Sequence, residues 1–133
     1  KLENLKISNE KFKKTVEKLI GIKNIFNYYG MIEQTGSIYI ECEKGNLHAP
    51  NYSDILIRNP IDFSTAKNGQ IGIVEVLSIA PFSYPGHALL TGDQGFILGE
   101  DNCKCGRMGK YFKIIGRIPK AELRGCSDTY ESN

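Results

Sequence analysis

After Gly36 the chain consists of short apolar segments separated by glycine-containing turns, and this pattern constrains the fold most strongly. Segments of about four to eight residues between such turns are typical of β-strands in antiparallel sheets. The pattern predicts a mainly antiparallel small barrel or sandwich. Turns are expected at Gly45-Asn46, Asn68-Gly69 and Pro85-Gly86. The predicted strands are residues 37–41, 54–58, 70–77, 87–91, 95–98 and 111–115.

An amphipathic helix is expected before these strands, between Ser8 as its N-cap and Gly21 as its end. The basic run at residues 11–14 is expected on the solvated face of this helix. Residues 22–29 are expected to form a short buried strand leading into Gly30. The fold class is therefore α+β, with one helix packed on the sheet, in a single domain over residues 1–133. The apolar positions of the helix are Phe12, Val16, Leu19 and Ile20.

Composition excludes several classes of function. A net charge of +2 is too small to argue for a nucleic-acid partner. No stretch approaches the ~20 consecutive apolar residues that a membrane span needs. Four cysteines in 133 residues are too few for a secreted domain held together by disulfides, so metal-bound or reactive thiols in the cytoplasm are expected.

Two cysteine-containing turns together supply the ligands of a zinc site. Cys42 and His48 are separated by five residues, and Cys103 and Cys105 by one. Three thiolates and an imidazole are a ligand set that tetrahedral zinc prefers, and a site with four protein ligands is structural. The alternative is a free buried Cys42 with an unpaired Cys-x-Cys. Cys126 is left over in either case.

The segment Tyr29-Gly30-Met-Ile-Glu33 places a carboxylate just after a predicted strand. Ligands collect at the carboxyl ends of strands in mixed α/β proteins, and a carboxylate suits Mg²⁺ beside a phosphate. The Tyr29 ring is able to stack on a flat base. The alternative is an ordinary turn with an exposed Glu33.

Asp93 and Arg117 are further candidates for a nucleotide site. Asp93 lies in Thr91-Gly-Asp93-Gln-Gly95, which predicts a turn whose carboxylate accepts hydrogen bonds from a vicinal diol. Arg117 follows the last predicted strand and is suited to contact a phosphate or a ribose. Taken alone, both segments are equally compatible with plain hairpin turns.

The order of these motifs resembles the adenylate-forming ligase superfamily, whose motifs run Tyr-Gly-x-Thr-Glu, Thr-Gly-Asp and Gly-Arg. The wording of residues 29–37, 109–117 and 124–128 is similar to the acyl-protein synthetases, the long-chain fatty-acid ligases of bacterial bioluminescence. The resemblance covers about residues 20–130, nearly the whole chain. Phenylacetate–CoA ligases are related, and their Glu-Cys and Leu-His patterns support the zinc interpretation. One departure is Ile32, which stands where the superfamily has Thr.

The resemblance implies a role for each motif residue. Glu33 would serve the Mg²⁺-bound phosphate, and Tyr29 with Gly30 would face adenine. Asp93 would hold the ribose hydroxyls of ATP, with Arg117 nearby. The acyl-accepting nucleophile of the family lies near the C-terminus and corresponds to Cys126.

The implied reaction has two steps, and the implied partners are a long-chain fatty acid and an acyl-accepting reductase. ATP first activates the fatty acid as an acyl-adenylate, and the Cys126 thiol then takes the acyl group. Lys120 and Arg124 are close enough in sequence to lower the pKa of Cys126.

The phosphate loop of the superfamily is not found in these residues, so the chain is expected to be the C-terminal part of a longer ligase and inactive alone. Two alternatives stay open at this stage. One is a fragment of a phenylacetate-type acyl–CoA ligase, and the other is a zinc-stapled interaction module without catalysis.

Overall fold

The computed structural model describes residues 7–119, and within them seven strands form one antiparallel sheet. A helix, α1 (Asn9–Ile20), precedes the sheet, and a short 3₁₀ turn (Ile32–Gln34) follows β1. The strands are β1 Tyr28–Tyr29, β2 Tyr39–Glu41, β3 Leu47–His48, β4 Ser53–Arg58, β5 Gly72–Ser78, β6 Ala88–Glu100 and β7 Lys110–Arg117. Their order across the sheet is β1-β2-β3-β7-β6-β5-β4.

The sheet curves into a half-barrel around one apolar core. Three aromatic rings meet in it, because Tyr29 of β1 lies 6.0 Å from Tyr39 and 6.4 Å from Phe112 between ring centroids. Side chains alternate between the core and the outer face along β5, as the two-residue period of a strand requires. The predicted fold class, a mainly antiparallel barrel-like sheet with an N-terminal helix, is confirmed. The buried core residues are Tyr39, Ile55, Ile57, Val74, Val76, Ile97 and Phe112.

Helix α1 begins and ends at the predicted residues. The Ser8 hydroxyl accepts a hydrogen bond from the backbone N–H of Lys11 at 3.3 Å, and Gly21 closes the helix with a left-handed φ of 73°. No residue of α1 is buried. Lys11 and Lys14 are exposed, as expected of a solvated helix face, but Lys13 is partly buried and forms an ion pair with the buried Glu41 at 2.5 Å. The helix is thus attached to the sheet by polar contacts at Glu41. No helix in residues 7–119 has the length and apolar character needed to cross a membrane.

The prediction of a buried strand over residues 22–29 is wrong. Only Tyr28–Tyr29 pairs in the sheet, and Ile22 and Phe26 are about half exposed. Asn27 instead binds Glu41 twice, since its N–H donates to the Glu41 carboxylate and its C=O accepts from the Glu41 N–H. The polar side chains that interrupt this apolar run leave it without an alternating pattern that a sheet needs.

The predicted strands 87–91 and 95–98 are a single strand, β6, so the expected turn around Asp93 is wrong. Gly92 and Gly95 do not adopt a positive φ. Gly95 is required for a different reason, because a Cβ at this position would lie 2.5 Å from the backbone oxygen of Lys113 in β7. Gly95, which suggested a turn in the sequence, is therefore needed where two strands approach each other closely.

The turn that carries Glu33 is anchored by its neighbour Gln34. The Gln34 side chain is buried, and its amide donates to the backbone oxygen of Gly86 at 2.9 Å and to that of Val76 at 3.4 Å. Buried backbone carbonyls need such partners. The exposed Glu33 is therefore presented by a turn that is fixed to β5 and to the loop before β6.

Candidate metal centre and nucleotide site

The two cysteine-containing turns converge in the structure. Strand β3 pairs with β7, with His48 opposite Tyr111, and the loop over residues 101–109 leads directly into β7. As a result the ligand atoms of four residues all lie within 4.8 Å of one another. The sequence spacing suggested this set but gave no proof that the two turns meet. The four residues are Cys42, His48, Cys103 and Cys105.

Each turn of the cluster is closed by a backbone hydrogen bond that ends at a glycine. The N–H of Gly45 donates to the Cys42 oxygen at 2.8 Å, and the N–H of Gly106 donates to the Cys103 oxygen at 3.0 Å. Gly45 and Gly106 have φ values of 74° and 83°, which side chains with a Cβ rarely adopt. These two glycines let the chain turn tightly enough to point the thiols at a common centre.

The donor set fits tetrahedral zinc. With bonds of about 2.3 Å to sulfur and about 2.1 Å to nitrogen, neighbouring ligand atoms on zinc lie about 3.5 Å apart. His48 Nε2 is 3.4 Å from Cys105 Sγ. Cys42, Cys103 and Cys105 are all free of disulfides. Because the cluster is mostly buried and all four positions are protein ligands, a metal held here would be structural.

The surroundings of the cluster favour the ligating forms of His48 and Cys103, whereas burial raises the pKa of Cys105. Burial lowers the pKa of His48, and the charge of Arg107 lowers it further, which favours the neutral imidazole that binds metals. Burial raises the pKa of Cys103, but hydrogen bonds from the Cys105 backbone and the Asn46 amide outweigh it and bring the pKa below its usual value. The Asn46 amide donates to Cys103 Sγ at 3.4 Å, and the backbone N–H of Arg107 donates to Cys105 Sγ at 3.4 Å. Such outer contacts orient metal ligands. No sequence motif indicates the contact between Asn46 and Cys103, because the two residues are 57 positions apart.

A second group of polar side chains forms around Asp93. Asp93 in β6 is the cross-strand partner of Arg117 in β7, with Arg117 Nε 3.9 Å from Asp93 Oδ1. The Tyr29 hydroxyl donates to Asp93 Oδ2 at 2.8 Å. Thr91 Oγ1 accepts from the Asp93 backbone N–H at 3.1 Å and donates to the Val74 oxygen at 2.9 Å. The structure thus joins residues from three separate sequence motifs.

This group is partly exposed to solvent. The side chains of Asp93 and Arg117 retain 22% and 39% of their exposure. Gly30 follows Tyr29 directly, and Glu33 is exposed on the 3₁₀ turn beyond it. Glu33 takes no part in the hydrogen bonds of the group among residues 7–119. Cys126 lies outside the described residues.

Comparison with known proteins places the chain in a family. The family model described as acyl-protein synthetase, LuxE, matches residues 1–133. No protein among the curated ones matches significantly. Among solved structures, two ATP-bound RpMatB–BxBclM chimeras match with a TM-score of 0.54 and 19% identity over 79% of this chain. The luciferase-like enzyme of the nonluminescent mealworm Zophobas morio matches with a TM-score of 0.57 and 20% identity over 84%.

The likeness to these structures shows the fold, and the chain spans 22% of each chimera and 30% of the mealworm enzyme. The family match extends over every residue of the chain. The chain belongs to the LuxE acyl-protein synthetase family.

Proposed function

We propose that this chain is the C-terminal part of an ATP-dependent acyl-protein synthetase that activates a long-chain fatty acid. The observation that carries the proposal is the joining of Tyr29, Asp93 and Arg117 into one group within a chain of the LuxE family. The chain spans less than a third of each of the three solved structures described above, which supports placing the phosphate loop elsewhere in a longer enzyme. Residues 1–133 alone are then inactive.

In the first step the fatty-acid carboxylate attacks the α-phosphate of ATP, forming an acyl-adenylate and releasing pyrophosphate. Asp93 is suited to accept hydrogen bonds from the ribose hydroxyls, since its carboxylate is partly exposed and already oriented by Tyr29. Arg117, opposite Asp93 in the sheet, is suited to contact a ribose or phosphate oxygen of the nucleotide. Mg²⁺, with Glu33 as its protein contact, would stabilise charge on the phosphates.

In the second step a thiolate attacks the acyl carbon, a thioester forms and AMP leaves. Cys126 is the proposed nucleophile, because the other three cysteines of the chain belong to the metal cluster. An acyl-accepting reductase is the proposed final recipient. Holding the intermediate as a thioester divides one difficult transfer into two easier ones.

Zinc is the proposed occupant of the Cys42, His48, Cys103 and Cys105 cluster. Its proposed role is structural, since it would tie the β2–β3 turn to the loop before β7. The cluster also keeps a non-catalytic alternative open, in which this part of the chain is a zinc-stapled interaction module. The Asp93 group favours the enzyme, because an interaction module needs no oriented carboxylate beside a cation.

Replacing Asp93 by alanine tests the nucleotide site. In the full-length enzyme this change should weaken ATP binding by about 1.5–3 kcal/mol, the range for hydrogen bonds to a charged group. Isothermal titration with ATP measures the loss. The matched control is Asp62→Ala, which removes an exposed carboxylate that accepts hydrogen bonds from Ser64 in a surface loop. ATP affinity that is the same in both variants would contradict the proposed site.

A further inference from the structure

Tyr29 connects two distant parts of the sheet. Three strands, β2, β3 and β7, separate β1 from β6 in the sheet order. The Tyr29 hydroxyl nevertheless reaches Asp93 Oδ2 at 2.8 Å, because the curvature of the half-barrel brings the two strands to face each other. A hydrogen bond between residues 64 positions apart in sequence is a tertiary contact that local structure does not require.

The Tyr29 ring is held in place by the aromatic core. It packs at a tilt against Tyr39 and edge-on against Phe112. The rings of Tyr39 and Phe112 also pack against each other, with 5.5 Å between their centroids. Such packing restricts both side-chain torsions of a tyrosine. The position of the hydroxyl is therefore fixed by the same core that supports the sheet.

The phenol acts as a permanent hydrogen-bond donor. Burial raises the pKa of Tyr29 well above its ordinary value, and the negative charge of Asp93 raises it further. Both effects favour the protonated phenol, the form that donates a hydrogen bond. Asp93, an acceptor when ionised, is its matching partner.

The Asp93 carboxylate retains capacity for a ligand after these contacts. An ionised carboxylate has about four acceptor positions, and Tyr29 uses one of them. Arg117 stands 3.9 Å from the other oxygen, and the side chain is still 22% exposed. The carboxylate is thus oriented by Tyr29 and remains partly exposed to solvent.

We propose that Tyr29 is a positioning residue that orients the Asp93 carboxylate for the ribose hydroxyls of ATP. This inference rests on the proposed function and adds to it the residue that sets the orientation. Its reason is preorganisation, since a carboxylate already fixed in the binding orientation loses less rotational freedom when the ligand arrives. The role belongs to the hydroxyl and is separate from any contact between the ring and adenine.

Tyr29→Phe in the full-length enzyme tests the inference, because it keeps the ring and removes only the hydroxyl. Affinities for ATP and for 2′,3′-dideoxy-ATP are measured side by side. We expect ATP affinity to fall by up to about tenfold, because an Asp93 side chain that is no longer held in place must be immobilised when the ribose binds, while dideoxy-ATP affinity is unchanged. Tyr39→Phe is the matched control, since it removes a core hydroxyl that binds the Asp54 backbone instead. It should alter neither affinity.

The outcomes separate the inference from the proposed function. A wild-type enzyme that binds both nucleotides equally would remove the ribose contact of Asp93, and the role of Tyr29 with it. A wild-type enzyme that prefers ATP, with the same preference in Tyr29→Phe, would overturn the Tyr29 role alone. An equal loss of affinity for both nucleotides in Tyr29→Phe would overturn it too, since it would mark a general structural support. In the Asp93→Ala background, Tyr29→Phe should have no further effect on ATP affinity.

Discussion

Cys42→Ala is expected to remove the bound zinc and to lower the free energy of unfolding by about 4 kcal/mol or more, the range associated with loss of a structural metal. Cys42 is 1% exposed and is one of the four proposed ligands, so its loss should break the proposed link between the β2–β3 turn and the loop before β7. Binding of a structural metal contributes directly to folding, because the unfolded chain has no preformed site. Elemental analysis should give about one zinc per wild-type chain, as one four-ligand site predicts, and close to none in the variant. Urea denaturation measures the stability.

Cys126→Ala is the matched control for this experiment. It removes a cysteine of the same chain that is not part of the cluster, so zinc content and stability should stay at the wild-type level. Wild-type protein that is fully stable after purification without metal, or Cys42→Ala protein with normal zinc content, would contradict the assignment of the cluster as a structural zinc site.

Cys126→Ser is expected to abolish the thioester-linked acyl protein while acyl-adenylate formation continues. Adenylation precedes attack by the thiol, so fatty-acid-dependent exchange of pyrophosphate into ATP should persist in the full-length variant. Labelled fatty acid followed on denaturing gels, with hydroxylamine to cleave thioesters, measures the covalent species. The effect is all or none, because a single nucleophile carries the acyl group.

The neighbouring change Ser127→Ala serves as the control and should retain normal labelling. A thioester that persists in Cys126→Ser would place the nucleophile elsewhere. Wild-type enzyme that forms the acyl-adenylate without any labelled protein would instead favour an acyl–CoA ligase of the phenylacetate type, which uses CoA as its acceptor.

The sequence predicted best what is decided locally. The cap residues of α1 are recognisable because a serine hydroxyl and a glycine in a left-handed conformation act within one helical turn. Strand β4, predicted at residues 54–58, is found at Ser53–Arg58. Where a residue pattern has two possible structural causes, the sequence alone does not decide between them. The glycines around Asp93 indicate either a turn or a close approach of two strands, and Gly95 serves the latter.

The candidate sites depend on contacts between distant residues, which the sequence indicates only in part. The four metal-ligand candidates lie together in the structure, and their convergence depends on β3, a two-residue strand too short to be recognised from its pattern. The bond from Tyr29 to Asp93 depends on the curvature of the whole sheet, which no local pattern encodes. Motif order suggested that Tyr29, Asp93 and Arg117 act together, and the pairing of β6 with β7 supplies part of the reason.

The most direct test of the account is a structure of the full-length enzyme with ATP or a stable acyl-adenylate analogue bound. The account predicts that both ribose hydroxyls lie within about 3.2 Å of the Asp93 carboxylate oxygens, the outer limit of a good hydrogen bond. It also predicts that the Tyr29 hydroxyl still donates to Asp93 in that complex. A nucleotide bound away from β6, with Asp93 paired only to Arg117 and Tyr29, would contradict the account.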